Sequence, residues 1–146
     1  MTKVLSENEA IEVIKAGRIG RLGCVEQEGP YVVPINYLID GREIYSHALP
    51  GKKIDAMRVN PLVCLQVDHI RDDLHWSSAI AFGKFEEIRN PQSRRTVISK
   101  LLCGFPKMTP VESQIVQDAA AQTALFLRLW WIALPESSRV RGGPWT

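Results

Sequence analysis

The stretch that decides the fold runs from Tyr31 to His47 and reads YVVPINYLIDGREIYSH. Its first part, Tyr31 to Ile39, is rich in β-branched and aromatic residues, which are typical of strands. Asp40-Gly41 follows and is the strongest hairpin signal, because a type I′ turn needs positive φ at both central residues. We therefore expect the next strand, Arg42 to His47, to pair antiparallel with the first.

Four further segments have the pattern of strands. The turn Glu28-Gly29-Pro30 is expected ahead of the central hairpin, and Gly83 is expected to mark a bulge or a bend. The four segments are Ile19 to Val25, Leu62 to Val67, Trp76 to Ile88 and Ala124 to Leu134. With the hairpin they make six strands, whose mostly short connections favour a closed antiparallel barrel without exposed apolar edges.

Short helices are expected beside these strands. A capping box formed by Ser6 and Glu9 opens the first helix, and a capping residue followed by proline opens two later ones. The predicted helices run from Ser6 to Gly17, Lys52 to Val59, Asn90 to Gly104 and Thr109 to about Ala121. The expected fold is therefore mainly β (α+β).

Length and charge limit the function classes. The chain has 146 residues and a net charge of +2, which predicts one domain over residues 1–146 and no basic groove for nucleic acid. The N-terminal residues lack the apolar core of a secretory signal. The longest apolar run, Ala124 to Leu134, is interrupted by Arg128 and is too short to span a bilayer. We expect a cytoplasmic protein without a membrane partner.

The three cysteines, Cys24, Cys64 and Cys103, are widely spaced and odd in number. They predict neither a disulfide framework nor a thiolate zinc site, and they favour a reducing compartment. His69 and His75 flank a polar segment that we expect to be a solvated hairpin loop. No metal site is predicted.

The segment from His47 to Lys53, HALPGKK, carries the clearest chemical signal. It leaves a strand, turns at Gly51 and enters a helix that begins with Lys52 and Lys53. Free amides, the helix dipole and two ammonium groups together favour an anion, with phosphate as the natural ligand. The alternative is a pair of solvated surface lysines.

The ordered set of motifs VVPINY, DGREIYSHALPGKKIDAMRVNPLVCLQV and WSSAIAFGKFEEI resembles the FMN-binding proteins related to pyridoxamine 5′-phosphate oxidase. Within that superfamily, the strand ending in His, the Gly-x-Lys turn and the Asn-Pro pair resemble the nitroimidazole-resistance-like branch. The resemblance extends from about Gly17 to Leu134. It implies a six-stranded antiparallel split β-barrel with flanking short helices, which binds FMN at the interface of a homodimer.

The resemblance also implies roles for individual residues. Lys53 matches the lysine that holds the FMN phosphate, and His47 matches a histidine close to the flavin, which makes it the candidate catalytic residue. Trp76 and Ser77 begin the strand that closes the pocket from the other side. The implied cofactor-binding residues are Pro34, Ile35, Asn36, Tyr37, His47, Gly51, Lys52, Lys53, Trp76 and Ser77. Arg139 and Arg141 match basic residues of relatives only loosely.

The chain departs from the oxidase itself, because it lacks that enzyme's arginine-rich FMN strand and its C-terminal substrate clamp. The leading hypothesis is an FMN-dependent oxidoreductase that transfers a hydride or electrons between NAD(P)H or another donor and a small organic acceptor. The alternative is a non-enzymatic flavin-binding store or redox sensor. Haem or a deazaflavin in the same barrel stays open. A third reading, a small barrel that binds single-stranded nucleic acid, has aromatic residues available but lacks the basic strip that such a groove needs.

The final predicted strand has apolar residues on both faces, including Trp130 and Trp131. One face is expected to pack on the barrel and the other on a partner subunit. The two tryptophans are interpreted as packing residues.

Overall fold

The computed structural model describes residues 3–41, 43–48, 51–104, 125–131 and 140–142. The strands are β1 (Lys3–Leu5), β2 (Ile19–Glu26), β3 (Gly29–Asn36), β4 (Leu38–Asp40), β5 (Glu43–Ala48), β6 (Leu62–Asp72), β7 (His75–Glu87), β8 (Leu125–Trp131) and β9 (Val140–Gly142). The helices are α1 (Glu7–Ala16), α2 (Lys52–Val59) and α3 (Pro91–Gly104). No helix in these ranges is long and apolar enough to cross a membrane.

The strand order closes the sheet into a barrel. Neighbouring strands follow the path β3-β2-β6-β7-β8-β5-β4, and every pair is antiparallel. Because β3 and β4 are one strand interrupted at Tyr37, the two ends of this path are joined by the chain itself. The predicted six-stranded antiparallel split β-barrel is therefore confirmed, with β1 and β9 as an additional short pair.

The interruption at Tyr37 is the point where this strand changes partners. Up to Asn36 it pairs with β2, and from Leu38 onward it pairs with β5. The Tyr37 amide donates to the carbonyl of Arg18 at 3.1 Å, and its buried hydroxyl donates to the carbonyl of Ile14. A Cβ at Gly17 would lie 2.5 Å from that hydroxyl, so the tyrosine requires glycine at this position.

Two helices close opposite ends of the barrel. α1 packs over the end that holds Tyr37, where Ala10 and Ile14 join the core. α2 covers the other end with Ile54, Ala56 and Met57, all of them buried. Its last turn is tied to β7 by Arg58, which donates to both carboxylate oxygens of Glu87 at 3.0 and 3.1 Å.

Several local expectations are corrected. Asp40 pairs with Glu43, so Asp40 still belongs to the first strand and pairing on the second begins one residue later than expected. Gly41 has the positive φ of 61°. Glu26 pairs with Gly29, so the preceding turn is Gln27-Glu28.

Strand β6 and strand β7 also differ from the expectation. Their register is continuous at Gly83 and shifts instead between Ile70 and Asp72, so Gly83 is not a bulge. β6 continues to Asp72, well beyond the predicted end at Val67, because its pairing with β7 continues up to the turn that joins the two strands. The helix predicted from Thr109 lies outside the described residues.

The two cysteines whose side chains are described are free. Cys24 is buried and points into the barrel, whereas Cys64 lies on the opposite face of the neighbouring strand, across from Gly23. Burial raises the pKa of the Cys24 thiol, Glu26 and Cys64 raise it further, and Lys53 acts in the opposite direction. Two thiols on opposite faces of a sheet cannot form a disulfide without backbone movement.

The first testable prediction concerns Tyr37. Replacing it with phenylalanine removes the hydrogen bond to Ile14 and should lower the free energy of unfolding by about 1 kcal/mol. Burial raises the pKa of Tyr37 from 10.0 to about 12. The contribution of Tyr37 to the free energy of unfolding should therefore be complete below pH 10 and lost as the pH rises toward 12. Denaturant titrations of both proteins at several alkaline pH values measure the difference. A difference that does not shrink with rising pH would contradict this assignment.

Candidate functional site

A cleft lies where β3 and β5 separate. Leu38 and Tyr45 are the last paired residues of β4 and β5. Beyond them, β3 pairs only with β2 and β5 only with β8 among the described residues. One side-chain bond still joins the two strands, from Ser46 Oγ to the carbonyl of Asn36 at 2.5 Å. This strand-exchange cleft is the opening of the split barrel.

The walls of the cleft carry several of the predicted site residues. Pro34 and Asn36 are exposed on the outer side of β3, and His47 is half-buried on β5. Continuing the β4–β5 register by two residues would set Asn36 opposite His47, since each pair sums to the same residue number. The structure therefore brings the side chains of Asn36 and His47 to the same region.

Two other predicted residues, Ile35 on β3 and Tyr37 directly after it, have different surroundings. Ile35 is 6% exposed and Tyr37 is 2% exposed, and both side chains belong to the barrel core. A ligand in the cleft would meet the main chain at these positions and not the side chains. Their predicted role in cofactor binding is therefore limited to the backbone.

Helix α2 begins at the end of the same cleft wall. Strand β5 ends at Ala48, and Gly51 is the N-cap of α2. No side chain caps the helix, which leaves its first amides available to an anion. The Arg58–Glu87 pair fixes this helix against β7. The carboxylate of Glu87 has a lowered pKa because it accepts hydrogen bonds from Arg58.

The two lysines at the start of α2 differ in their surroundings. Lys52 forms an ion pair with Glu26 at 3.0 Å, and its ammonium lies 5.7 Å from the centre of the Tyr31 ring. Lys53 is half-buried and makes no ion pair with any carboxylate in the described part of the chain. Of the two, Lys53 is the cation available to a bound anion.

Trp76 and Ser77 lie at the opposite end of the barrel. Ser77 pairs with His69, whereas Gly83 pairs with Val63 next to α2. Six residues of strand separate these positions, which corresponds to about 20 Å. Within one chain, the predicted site residues thus form two groups. One runs from Asn36 and His47 to Lys53, and the other is Trp76 and Ser77, which β2 and β6 separate from Asn36 on β3.

The comparisons with known proteins agree with this architecture. The sequence profile of the pyridoxamine 5′-phosphate oxidase family matches residues 6–130. The chain belongs to the pyridoxamine 5′-phosphate oxidase family. The predicted family resemblance is thereby confirmed.

Individual relatives add detail. A FAD-binding protein from Mesorhizobium loti is 30% identical, with a TM-score of 0.74 and 99% and 98% of the two chains covered. A Bacteroides thetaiotaomicron protein, named as a candidate 5-nitroimidazole antibiotic resistance protein, shares the fold with a TM-score of 0.73, at 22% identity and 98% and 89% coverage. An uncharacterized protein of Rhizobium meliloti (strain 1021) is 38% identical over 86 residues, which is 59% of this chain and 57% of that protein's length.

Sequence reasoning did not single out two polar residues beside the candidate site, Ser46 and Glu26. Ser46 is a serine inside an apolar strand pattern, and only the barrel closure gives it a partner on β3. Glu26 belongs to no recognisable motif. Its ion pair with Lys52, 26 positions further along the chain, forms only in the folded protein. Both contacts join segments distant in sequence, so no local pattern announces them.

The histidines outside the cleft have structural roles. His69 was expected in a solvated loop, but it lies in β6, half-buried, and its Nε2 is 2.8 Å from the carbonyl of Val13 at the end of α1. That expectation was wrong for His69, because β6 extends further than predicted. His75 does lie near the hairpin turn, exposed, with Nδ1 2.7 Å from Asp72. In the described part of the chain, no three His, Cys, Asp or Glu side chains converge as metal ligands would.

Two surface pockets lie apart from the cleft. One, of about 470 Å³, lies between the β2–β3 turn and the outer side of α2 and includes Lys52. The other, of about 350 Å³, lies between β5, β7 and α3 and includes Tyr45 and Lys100. Neither contains Asn36, His47 or Lys53, so both are separate from the predicted site.

Proposed function

We propose that this protein binds FMN in the strand-exchange cleft and acts as an oxidoreductase on a small organic substrate. The observation that carries the proposal is the position of α2. Its uncapped N-terminus and the half-buried Lys53 follow directly on the cleft wall that ends at Ala48. An anion-binding end thus lies next to a cleft that can take a flat ring, and these are the two parts that a flavin mononucleotide needs.

The charges at the start of α2 favour a phosphate there. Lys52 is neutralised by Glu26, whereas Lys53 has no carboxylate partner among the described residues. The helix dipole and free amides at Gly51 and Lys53 add to its attraction for an anion. This donor set fits a single terminal phosphate, and for that reason we favour FMN, although the Mesorhizobium loti relative is FAD-binding.

The ring end is argued from the cleft walls. When bound, the flavin ring supplies the hydride or electron transfer. We propose that the ring lies against Pro34 and the main chain of Ile35 and Asn36, with the His47 imidazole on the facing strand. We propose that His47 orients the ring and tunes its electronic properties.

The substrate side of the proposal concerns the electron donor and the electron acceptor. We infer a cytoplasmic enzyme that takes electrons from NAD(P)H and passes them to a small organic acceptor. Steady oxidation of NADH by the FMN-loaded protein with an added acceptor supports this role. Binding of FMN without any turnover would instead favour the store or redox sensor.

We propose further that the site is completed by a second copy of the chain. The side chains of β3, β2, β6 and β7 that point away from the barrel form an outer face. Its exposed apolar members are Ile19, Val25, Val32, Leu62 and Ile80. Three of its polar members are paired with each other, since Asp68 accepts from Arg21 at 3.2 Å and from Gln66 at 2.9 Å. This part of the face can be buried without leaving an unpaired charge.

This outer face also connects the two groups of site residues. Pro34 and Asn36 lie at its β3 edge, and Trp76 lies at its β7 edge, opposite Ile70. In a twofold contact the same surface is used by both copies. If the β3 edge of one copy meets the β7 edge of the other, Trp76 of the partner subunit reaches the cleft that its own chain cannot reach.

The second prediction concerns Lys53. A hydrogen bond to a charged group contributes about 1.5–3 kcal/mol, so Lys53→Ala should weaken FMN binding about ten- to a hundredfold. Riboflavin, which lacks the phosphate, should bind the variant as it binds the wild type. Fluorescence titrations with FMN, FAD and riboflavin measure the three affinities.

Lys52→Ala is the matched control, one residue away on the same helix. Because Lys52 is paired with Glu26, its removal should change FMN affinity less than threefold. Equal losses for FMN and riboflavin in Lys53→Ala, or a larger loss in Lys52→Ala, would contradict the assignment of the phosphate site. Tighter binding of FAD than of FMN would show that the proposed cofactor, FMN, is wrong.

The third prediction concerns the outer face. Val32 is 64% exposed at the centre of β3, and an aspartate there would be buried without a partner in the proposed dimer. Val32→Asp should therefore be monomeric at micromolar concentration by light scattering, and its affinity for FMN should fall. Val59→Asp is the control, since Val59 is 87% exposed on α2 and lies off this face. A wild-type protein that is itself monomeric with FMN bound would refute the shared site.

A further inference from the structure

Ser46 is a buried polar residue with unusual surroundings. It has no exposed surface and, apart from tyrosines, is the one buried polar or charged residue among residues 4–41, 43–48, 51–97 and 99–101, whose side-chain burial the structure describes. Its neighbours on the same face of β5 are Ile44 and Ala48, which belong to the barrel core. A hydroxyl in such a place is costly unless it is hydrogen-bonded.

The partner of Ser46 lies on the facing wall of the cleft. Its hydroxyl donates to the carbonyl of Asn36 at 2.5 Å, and a second, longer contact of 3.4 Å joins it to the carbonyl of His47. The ladder between β4 and β5 has already ended at Leu38. The serine therefore adds one more link between the strands just before they separate.

We propose that Ser46 is a positioning residue of the flavin site, which sets the separation between the Asn36 main chain and the His47 strand. The inference rests on the proposed function, because it assumes that the flavin ring lies in this cleft. Ser46 does not touch the ring, since its side chain points into the barrel. It acts through Asn36. The Ser46 hydroxyl donates to the main-chain carbonyl of Asn36, while the Asn36 side chain is exposed on the outer side of β3.

This role differs from that of an ordinary core residue. The α1 end of the exchange is already fixed by the bonds of Tyr37 to Ile14 and Arg18. Loss of the serine hydroxyl therefore leaves the barrel closed. It removes only the bond that joins β5 to Asn36 at the end of β3. The consequence should be found in ring binding and not mainly in stability.

The test uses two matched pairs of variants at this position in the full chain. Ser46→Ala removes the hydroxyl from a small side chain. Ser46→Thr and Ser46→Val have nearly the same shape as each other and differ in the hydroxyl, so any cost of the added methyl group is common to both. Titrations with riboflavin and FMN, and the visible absorption spectrum of the bound flavin, are measured for all of them.

One neutral hydrogen bond corresponds to about a three- to tenfold change in affinity. Ser46→Ala should lose this factor relative to the wild type, and Ser46→Val should lose it relative to Ser46→Thr. The loss should be equal for riboflavin and FMN, unlike that of Lys53→Ala, because the ring and not the phosphate is affected. The spectrum should shift in the alanine and valine variants and return in the threonine variant.

Ile44→Val is the control for general destabilisation, because it removes a buried methyl group from the same strand and the same face. It should lower the melting temperature without changing flavin affinity. If Ile44→Val weakens binding as much as Ser46→Ala, or if wild type and Ser46→Ala bind riboflavin equally, the positioning role is refuted. A wild-type protein that binds no flavin would refute the proposed function, and this inference with it.

Discussion

The structure depends on one event, the exchange of strand partners at Tyr37. A six-stranded barrel closes here because a single strand pairs with β2 on one side of this residue and with β5 on the other. Such an exchange interrupts the regular ladder, so the groups around it need other partners. Tyr37 provides them on the α1 side through Ile14 and Arg18, and Ser46 provides one on the cleft side through Asn36. The opening of the barrel is therefore a consequence of how it closes.

The lysines at the start of α2 illustrate how a fold separates two residues that the sequence treats alike. Both follow Gly51 and both carry a positive charge. Only the neighbouring strand decides that Lys52 meets Glu26 and Tyr31, while Lys53 keeps its charge available. Adjacent residues at a helix start point about 100° apart, so different partners are the expected result.

Much of the fold could be predicted from local patterns. Three of these patterns act within a few residues and mark helix ends correctly. α1 begins after the capping box of Ser6 and Glu9, α2 ends just before Pro61, and α3 begins after Asn90. The turn at Gly41 was located, but its register was predicted one residue off, because the dipeptide signal does not state which residue is central. The full length of β6 was missed, since pairing with β7 can carry polar residues such as Asp68 and His69 into a strand.

The site was predictable only in outline. Asn36, His47 and Lys53 could be singled out by resemblance. The fold brings Asn36 and His47 to one region and puts Lys53 on the helix that follows the His47 strand. Burial of the Ile35 and Tyr37 side chains, the pairing of Lys52 and the link made by Ser46 are tertiary effects without local signals. The separation of Trp76 from the cleft also follows from the strand order, since β2 and β6 lie between β3 and β7. Because of this separation, the proposed site includes a second copy of the chain.

The most direct test of the central claim is an amide chemical-shift titration of the isotopically labelled protein, first with riboflavin and then with FMN. The account predicts that riboflavin shifts the amides around Asn36 and His47, and that FMN shifts these and also the amides from Gly51 to Ile54. Shifts confined to the pocket beside the β2–β3 turn, or to the pocket between β5, β7 and α3, would contradict it. In either of those cases the strand-exchange cleft would not be the ligand site.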